Sequence, residues 1–288
     1  MTRSNPVDGF QLAYDYRSGS AGPVVLLHGW PGDRTDWRRV VPLLPHDVEV
    51  AVPDLRGFGE SDKHPREPNG HYDADSQVRS VAGLIEELGL DRAVVAGYDI
   101  GSRIAQTLAR QRPDLVRSLV LSPPLPGAGK RVLSPEVVQE FWYYGFHRSG
   151  VAELLLDGDR ERVRAYLSDR WGRWSGPDFQ LKGSDLEHLV DVYGAPGAFA
   201  ASVAWYRAGA GLMATSVDER APDVDDRLAI PVRVLWQEFD PTFPRAFADR
   251  LDDFFVDVSI TWADGVGHFT PLEAPGPMAD LIGKALTS

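Results

Sequence analysis

The sequence predicts an α/β fold: a mostly parallel, twisted sheet with helices on both faces and a helical insertion. Over the first 125 residues, short apolar β-branched runs alternate with amphipathic helical patterns, as parallel strands joined by crossover helices do. Between residues 133 and 220 we find no strand pattern; this stretch is rich in Trp and Tyr and helical in its spacing. The strand–helix rhythm then resumes. We therefore predict a core domain of residues 1–125 and 223–288, interrupted by a helical cap domain, residues 126–222.

Seven short runs are predicted as strands. The run from Pro23 to His28 is continuously apolar, which is typical of a parallel strand buried on both faces. Residues 10–17 alternate loosely and indicate an edge strand. The other predicted strands, in chain order, are residues 48–52, 94–96, 118–121, 231–236 and 256–262.

Helical spacing and termination signals predict the helices between these strands. Residues 75–88 carry apolar side chains at helical spacing, and Gly89 ends the helix. A short helix that ends at Leu44 is predicted to be capped by Thr35 or Asp36. The remaining core helices are predicted from Asp99 to before Pro113, at 244–255 and at 275–286, and the cap helices at 135–156, 160–171, 185–193 and 196–210.

Composition limits the class of protein. With 288 residues, 43% of them hydrophobic, the chain can form one large domain with an insertion. A net charge of -12 argues against a nucleic-acid partner, and the lack of cysteine excludes disulfides and a Cys nucleophile. No apolar run approaches the roughly 20 residues of a membrane span, and the N-terminal residues lack the apolar segment of a signal peptide. We expect a cytoplasmic protein that does not enter a membrane.

The turn from Gly97 to Gly101 is the strongest local signal. It follows an apolar strand and leads directly into a helix, and such a tight turn requires glycine at both flanks. The residue at its apex, Asp99, is presented at the helix N-terminus. An isolated Asp after a strand can simply cap the helix, but the flanking glycines favour a functional role.

Two further polar residues follow later predicted strands, at the edge of the sheet where open α/β folds bind ligands. Asp240 lies just beyond one strand and His268 just beyond the last. With Asp99 they give the chain order nucleophile, acid, histidine. Glu238 and Asp264 are alternatives to Asp240. We prefer Asp240 because it lies beyond the end of the apolar run.

Five motifs together resemble one superfamily. They are His28-Gly29-Trp30-Pro31, Asp54-Leu55-Arg56-Gly57-Phe58-Gly59-Glu60-Ser61, Gly97-Tyr98-Asp99-Ile100-Gly101, Asp240-Pro241 and Gly267-His268-Phe269. The chain resembles the α/β-hydrolase superfamily over almost its whole length, and within it the epoxide hydrolase and dehalogenase branch, whose nucleophile is Asp.

The resemblance implies a covalent mechanism without a cofactor or metal. Asp99 would attack a saturated carbon and form an alkyl-enzyme ester. His268, oriented by Asp240, would then activate water to hydrolyse that ester. The backbone N–H groups of Ile100 and Trp30 would form the oxyanion hole.

Oxygen activation is expected from the cap, because epoxide hydrolases generally open the ring with two tyrosines there. Residues 204–208 resemble the segment that carries the second tyrosine, which matches Tyr206. The first segment resembles residues 141–153, and the alignment puts Trp142 at the activating position. Its neighbour Tyr143 is the alternative donor.

The leaving group distinguishes the alternatives. Haloalkane dehalogenases have Trp directly after the nucleophile and commonly Asn in the His-Gly-x-Pro loop, where this chain has Ile100 and Trp30. Haloacetate dehalogenases use two arginines, of which only Arg103 is present. We therefore predict an epoxide hydrolase that forms a vicinal diol, with a haloalkane or haloacetate dehalogenase as the alternative and a non-catalytic ligand binder of the same fold less favoured. The expected partners are a small apolar or aromatic epoxide and water; a homodimer is left open.

Overall fold

The computed structural model describes residues 2–287. Their strands form one eight-stranded sheet. The strands are β1 (Thr2–Arg3), β2 (Ala13–Arg17), β3 (Ala21–Leu27), β4 (Val48–Pro53), β5 (Ala93–Gly97), β6 (Val116–Leu121), β7 (Val232–Gln237) and β8 (Val258–Ala263). Their order across the sheet is β1-β2-β4-β3-β5-β6-β7-β8. The pairs that involve β2 are antiparallel and all others are parallel. The predicted mostly parallel sheet is confirmed.

Helices flank the sheet and fill the interval between β6 and β7. The α-helices are α1 (Ala74–Leu88), α2 (Ile100–Gln111), α3 (Pro135–Val138), α4 (Trp142–Arg148), α5 (Gly150–Leu156), α6 (Arg160–Trp174), α7 (Gly183–Tyr193), α8 (Ala198–Arg207), α9 (Leu212–Ser216), α10 (Thr270–Glu273) and α11 (Pro275–Leu286). Short 3₁₀ helices cover Arg34–Arg39, Val41–Leu43, Gly129–Leu133, Gln139–Phe141, Val224–Asp226 and Arg245–Asp253. The proposed cap, residues 126–222, contains α3 to α9.

Helix α1 has the predicted termination and a side-chain cap. The Asp73 carboxylate accepts a hydrogen bond from the backbone N–H of Ser76 at its start. Gly89 ends the helix with φ of +66°, a conformation that glycine adopts without a side-chain clash. The helix predicted before Leu44 is instead a pair of 3₁₀ segments. Its cap is Asp33, which accepts from the N–H of Thr35.

The prediction of a single helix over residues 135–156 is wrong, because the structure has separate short helices there. The chain breaks it at Ser149, whose backbone is extended, and the Ser149 hydroxyl donates to the carbonyl of Phe146 at 2.7 Å. A serine that bonds locally in this way competes with the helical hydrogen-bond pattern. The helix predicted over residues 244–255 is 3₁₀ and kinked at Arg250.

The core lies on both faces of the central strands. The side chains of residues 24–27 in β3, 93–96 in β5 and 119–121 in β6 are all fully buried. Burial on both faces explains why these strands are continuous apolar runs in the sequence. The predicted edge strand, residues 10–17, is shorter and is covered at its edge by β1. Among the helices of residues 2–287, none has the length and apolar character needed to cross a bilayer.

Candidate active site

The ends of three strands bring Asp99, Asp240 and His268 together. They follow β5, β7 and β8, which run parallel, so their carboxyl ends share one edge of the sheet. The Nδ1 of His268 is 2.7 Å from Oδ2 of Asp240. On the other side of the ring, Nε2 of His268 is 3.4 Å from Oδ2 of Asp99. The imidazole therefore lies between two carboxylates.

The Asp99 turn has the geometry that its glycines predict. Asp99 has φ of +50° and ψ of -124°, a conformation that costs a non-glycine residue roughly 1–3 kcal/mol. A Cβ on Gly97 would lie 2.5 Å from the carbonyl oxygen of Gly101, and a Cβ on Gly101 would collide with that of Leu27. The Asp99 side chain makes no capping hydrogen bond to α2. The side chain of Asp99 therefore does not cap helix α2.

The backbone on the other side of Asp99 supplies a hydrogen-bond donor. The N–H of Trp30 donates to Oδ1 of Asp99 at 2.8 Å. Gly29 allows this approach, because a Cβ there would lie 2.5 Å from the Cβ of Asp99. Ile100 begins α2, and the N–H groups of a first helical turn have no acceptor within the helix. Of the two proposed oxyanion-hole residues, Trp30 thus contacts the Asp99 carboxylate directly, and Ile100 follows Asp99 in the chain.

Asp240 is buried and fully hydrogen-bonded. Its Oδ1 accepts from the N–H and the hydroxyl of Thr242 at 2.8 and 2.6 Å. Its Oδ2 accepts from the side-chain amide of Gln237 at 2.7 Å as well as from His268. Burial opposes ionisation of this carboxyl, but the charge of His268 and the Thr242 donors hold its pKa below the ordinary value. Asp240 is therefore a fixed negative charge behind the imidazole.

The two alternative acids lie elsewhere. Glu238 is exposed, and its carboxylate accepts from the backbone N–H of Gly265 at 2.9 Å. Asp264 forms a surface ion pair with Arg245 at 2.7 Å. The geometry therefore favours Asp240 as the partner of His268.

His268 is held in its charged form. Burial disfavours the charge, but the neighbouring carboxylates of Asp240 and Asp99 outweigh it and raise the pKa of His268 to about 10. At neutral pH the resting site therefore contains an imidazolium between two acids. Loss of the negative charge on Asp99 would remove one of these stabilising partners, so the imidazole would then release its proton more easily.

Because the protonated form of His268 stabilises the folded state, the free energy of unfolding should fall as the pH rises from about 7 towards 10. The folded-state pKa of about 10 exceeds the ordinary value of 6.5, so its contribution is fully present below about pH 6.5 and is lost as the pH rises through the folded-state pKa. Urea unfolding at pH 7 and pH 9.5 measures the effect. His268→Gln should show a smaller decrease in unfolding free energy than wild type; an equal decrease would contradict the assignment.

Two tyrosines of the proposed cap pack edge to face near Asp99. Tyr143 on α4 is 7% exposed and Tyr206 on α8 is 5% exposed, and their ring centroids are 5.9 Å apart. The indole of Trp30 is parallel to the Tyr143 ring and perpendicular to the Tyr206 ring, at 6.1 Å from each. No hydrogen bond joins either phenol hydroxyl to another group within residues 2–287. Burial and nearby ionisable groups, Asp99 among them, raise the pKa of both phenols well above the ordinary value, so both remain donors.

Trp142, which the alignment puts at the activating position, lies outside this group. Its side chain is 47% exposed. The guanidinium carbon of Arg170 lies 4.7 Å from the centre of its ring, and Phe146 packs beside it at 5.9 Å. Successive side chains of a helix point about 100° apart, so Tyr143 faces inward where Trp142 faces outward. The geometry therefore favours Tyr143 over Trp142 as the first donor.

Trp174 is one of several aromatic residues of the proposed cap that the sequence suggests for an apolar pocket, without assigning it a place next to His268. Its indole lies 5.0 Å from the His268 ring and 5.1 Å from the Tyr143 ring. Its carbonyl accepts from the N–H of His268 at 2.7 Å. Nothing in the local sequence separates Trp174 from the other cap aromatics, because the contact depends on the cap's position over the core.

Glu273 is a residue that sequence reasoning missed. Its carboxylate accepts from the backbone N–H groups of Gly267 and Phe269, on either side of His268, at 2.7 and 2.9 Å. It also accepts from the N–H of Gly176 in the cap at 2.8 Å. Glu273 thus fixes the loop of His268 and ties it to the cap. Glu273 is the last residue of α10, and its closeness to His268 in the chain is the only sequence signal.

Comparison with known proteins gives relatives over nearly the whole chain. A family model for the alpha/beta hydrolase fold matches residues 22–148. The chain is 28% identical over 286 residues to a soluble epoxide hydrolase of Corynebacterium sp. strain C12, covering 93% of this chain and 91% of that protein. It is 29% identical over 199 residues to a fluoroacetate dehalogenase of Burkholderia sp., covering 66% and 64%. The solved structure of the epoxide hydrolase CorEH without ligand superposes with a TM-score of 0.81 at 27% identity, covering 99% and 98%.

Proposed function

We propose that this protein is an epoxide hydrolase that forms a vicinal diol, because it has the alpha/beta hydrolase fold and has epoxide hydrolases and dehalogenases among its relatives. One observation carries the proposal. The carboxylate of Asp99, 3.4 Å from a buried imidazole, lies near two tyrosines whose hydroxyls have no acceptor among the described residues. A carboxylate nucleophile suits saturated carbon, and free phenols suit a leaving oxygen.

The first step opens the ring. Since Oδ1 of Asp99 accepts from the N–H of Trp30, the attacking oxygen is Oδ2, which lies 3.4 Å from Nε2 of His268. It forms a bond to one epoxide carbon while the bond from that carbon to the ring oxygen breaks, and the electron pair goes to the oxygen. Tyr143 and Tyr206 donate hydrogen bonds to this oxygen, and one of them transfers its proton. The products are a hydroxyalkyl ester and a phenolate.

The second step begins with a change of charge. The ester of Asp99 is neutral, so His268 keeps only Asp240 as a charged partner and its pKa falls. The proton that His268 releases passes to the tyrosine phenolate and restores its hydroxyl group. The neutral Nε2 of His268 then takes a proton from water, which attacks the ester carbonyl.

Collapse of the intermediate restores the enzyme. The N–H groups of Trp30 and Ile100 stabilise the oxyanion. The bond from the carbonyl carbon to the alkyl oxygen breaks, and the departing alkoxide takes the proton of the new carboxyl group. Asp99 is again a carboxylate and His268 an imidazolium. The net reaction is one epoxide and one water to one diol.

A substrate panel tests the proposal. Purified protein is incubated with styrene oxide, 1,2-epoxyhexane, 1-chlorobutane and fluoroacetate, and both diol and halide are measured. We expect diol from at least one epoxide, abolished by Asp99→Asn. Release of halide without any diol would replace the proposal with a dehalogenase.

Tyr143→Phe should lower kcat/KM for an epoxide by about 10²- to 10³-fold, as loss of one donor to a developing oxyanion does elsewhere. Trp142→Phe should change it by about twofold or less, since an exposed indole touches no reacting atom. Steady-state kinetics of both variants decide between these neighbours. A large loss in Trp142→Phe with little change in Tyr143→Phe would reverse the assignment.

One observation favours haloalkane dehalogenation as the second candidate. The indole N–H groups of Trp30 and Trp174 are buried without an acceptor in the described part of the chain, and such donors can stabilise a halide. Haloacetate is less supported. Arg103 lines a cavity together with Arg110 and Glu219, and neither Asp99 nor His268 lines that cavity. The guanidinium of Arg103 is therefore poorly placed for a substrate carboxylate.

A further inference from the structure

A cavity of about 420 Å³ lies along helix α2. The helix contributes one face of its surface, and the opposite wall comes from the segments where the chain enters and leaves the proposed cap. The lining residues on which the site depends are Arg103, Arg110, Pro126, Glu219, Arg220 and Pro222. Neither Asp99 nor His268 lines it, so it is distinct from the candidate active site.

The cavity is cationic on an acidic protein. Three of its lining residues are arginines and one is a carboxylate, whereas the whole chain carries a net charge of -12. The carboxylate, Glu219, is already engaged, because its Oε2 accepts from the backbone N–H of Gly127 at 2.7 Å. The cavity therefore has more hydrogen-bond donors and more positive charge than its own acid neutralises.

Arg103 is the unsatisfied group. Its side chain is half-buried, and no group within residues 2–287 accepts a hydrogen bond from its guanidinium. Burial lowers the pKa of Arg103, and the charge of Glu219 only partly opposes this shift. Arg110 has one long contact, 3.5 Å to the carbonyl oxygen of Asp226. A half-buried guanidinium without a protein acceptor can bind an anion at little reorganisation cost.

We propose that this cavity binds a small organic anion through the guanidinium groups of Arg103 and Arg110. The planar fork of a guanidinium fits a carboxylate or a phosphate group in a bidentate manner. Pro126, Pro222 and Phe254 supply apolar surface for a short body attached to that group. The volume suits a small molecule rather than a macromolecule.

Such a ligand would join three parts of the chain. Helix α2 begins directly after Asp99, Pro126 leads into the cap, and Pro222 leads back to the core. A ligand that binds only the folded state stabilises it. Anion binding should therefore raise the melting temperature and hold the two cap connections against α2.

Calorimetric titration tests the site without any substrate, so its outcome is independent of the proposed reaction. The probes are inorganic phosphate and benzoate, each at constant ionic strength with sodium chloride. We expect one saturable site for at least one probe, and the tighter probe identifies the preferred group. Arg103→Gln should raise Kd about tenfold or more. Arg164→Gln, which removes an exposed cap arginine paired with Glu187, should leave Kd unchanged.

A second variant keeps the test decisive if Arg103→Gln does not fold. Glu219→Gln retains an acceptor for the N–H of Gly127 but removes the negative charge, so it should lower Kd for either anion. The proposal is overturned if wild type shows no saturable binding of either probe. It is also overturned if neither Arg103→Gln nor Glu219→Gln changes Kd.

Discussion

Asp99→Asn should lower the rate of diol formation by about 10⁴-fold or more, because a neutral amide cannot act as the nucleophile. The fold should persist. The amide oxygen of the substituted side chain can still accept the hydrogen bond that the Trp30 N–H donates to Oδ1 of Asp99, and its size matches the original. The measurement is kcat for an epoxide turned over by wild type, with circular dichroism as a check of folding.

The matched control is Asp264→Asn. Asp264 is also an acid close to His268 in sequence, but it pairs with Arg245 on the surface. This control should retain wild-type kcat. If a folded Asp99→Asn variant keeps more than about a tenth of the wild-type rate, Asp99 is not the nucleophile.

His268→Gln should trap the enzyme halfway through the reaction. Asp99 and both tyrosines remain, so the ester still forms, but the base for its hydrolysis is lost. General-base catalysis contributes roughly 10²- to 10⁴-fold, and turnover should fall by a similar factor. Ring opening is an addition, so the intact protein should gain the full mass of the epoxide.

His46→Gln is the control for this variant, because His46 is exposed and is not one of the candidate site residues. It should turn over normally and show no adduct. Loss of turnover in His268→Gln without any adduct would mean that His268 acts before or during ring opening, and normal turnover would remove it from the mechanism.

The sequence predicts the parts of the site that depend on local backbone geometry. The Gly97 and Gly101 flanks require a tight turn, so the position of Asp99 follows from a few neighbouring residues. Asp240 and His268 follow because parallel strands end at one edge of the sheet. The strand rhythm likewise predicts the sheet and the helical insertion.

The cap side of the site depends on long-range packing and is less predictable. Trp142 and Tyr143 are adjacent on α4, and which of them faces inward depends on Arg170 of α6, which covers the Trp142 ring. The contacts of Trp174 with His268 and of Glu273 with Gly176 also join distant segments. No local pattern encodes such contacts.

The covalent role of Asp99 is the central claim, and one isotope experiment tests it directly. Excess wild-type enzyme converts an epoxide once in water enriched in ¹⁸O, and peptide and diol are both analysed by mass spectrometry. Water attacks the ester carbonyl in our account, so the label should enter the peptide that contains Asp99, while the new hydroxyl of the diol carries ordinary oxygen. Label in the diol and none in the peptide would show that water attacks the epoxide directly, and would contradict the account.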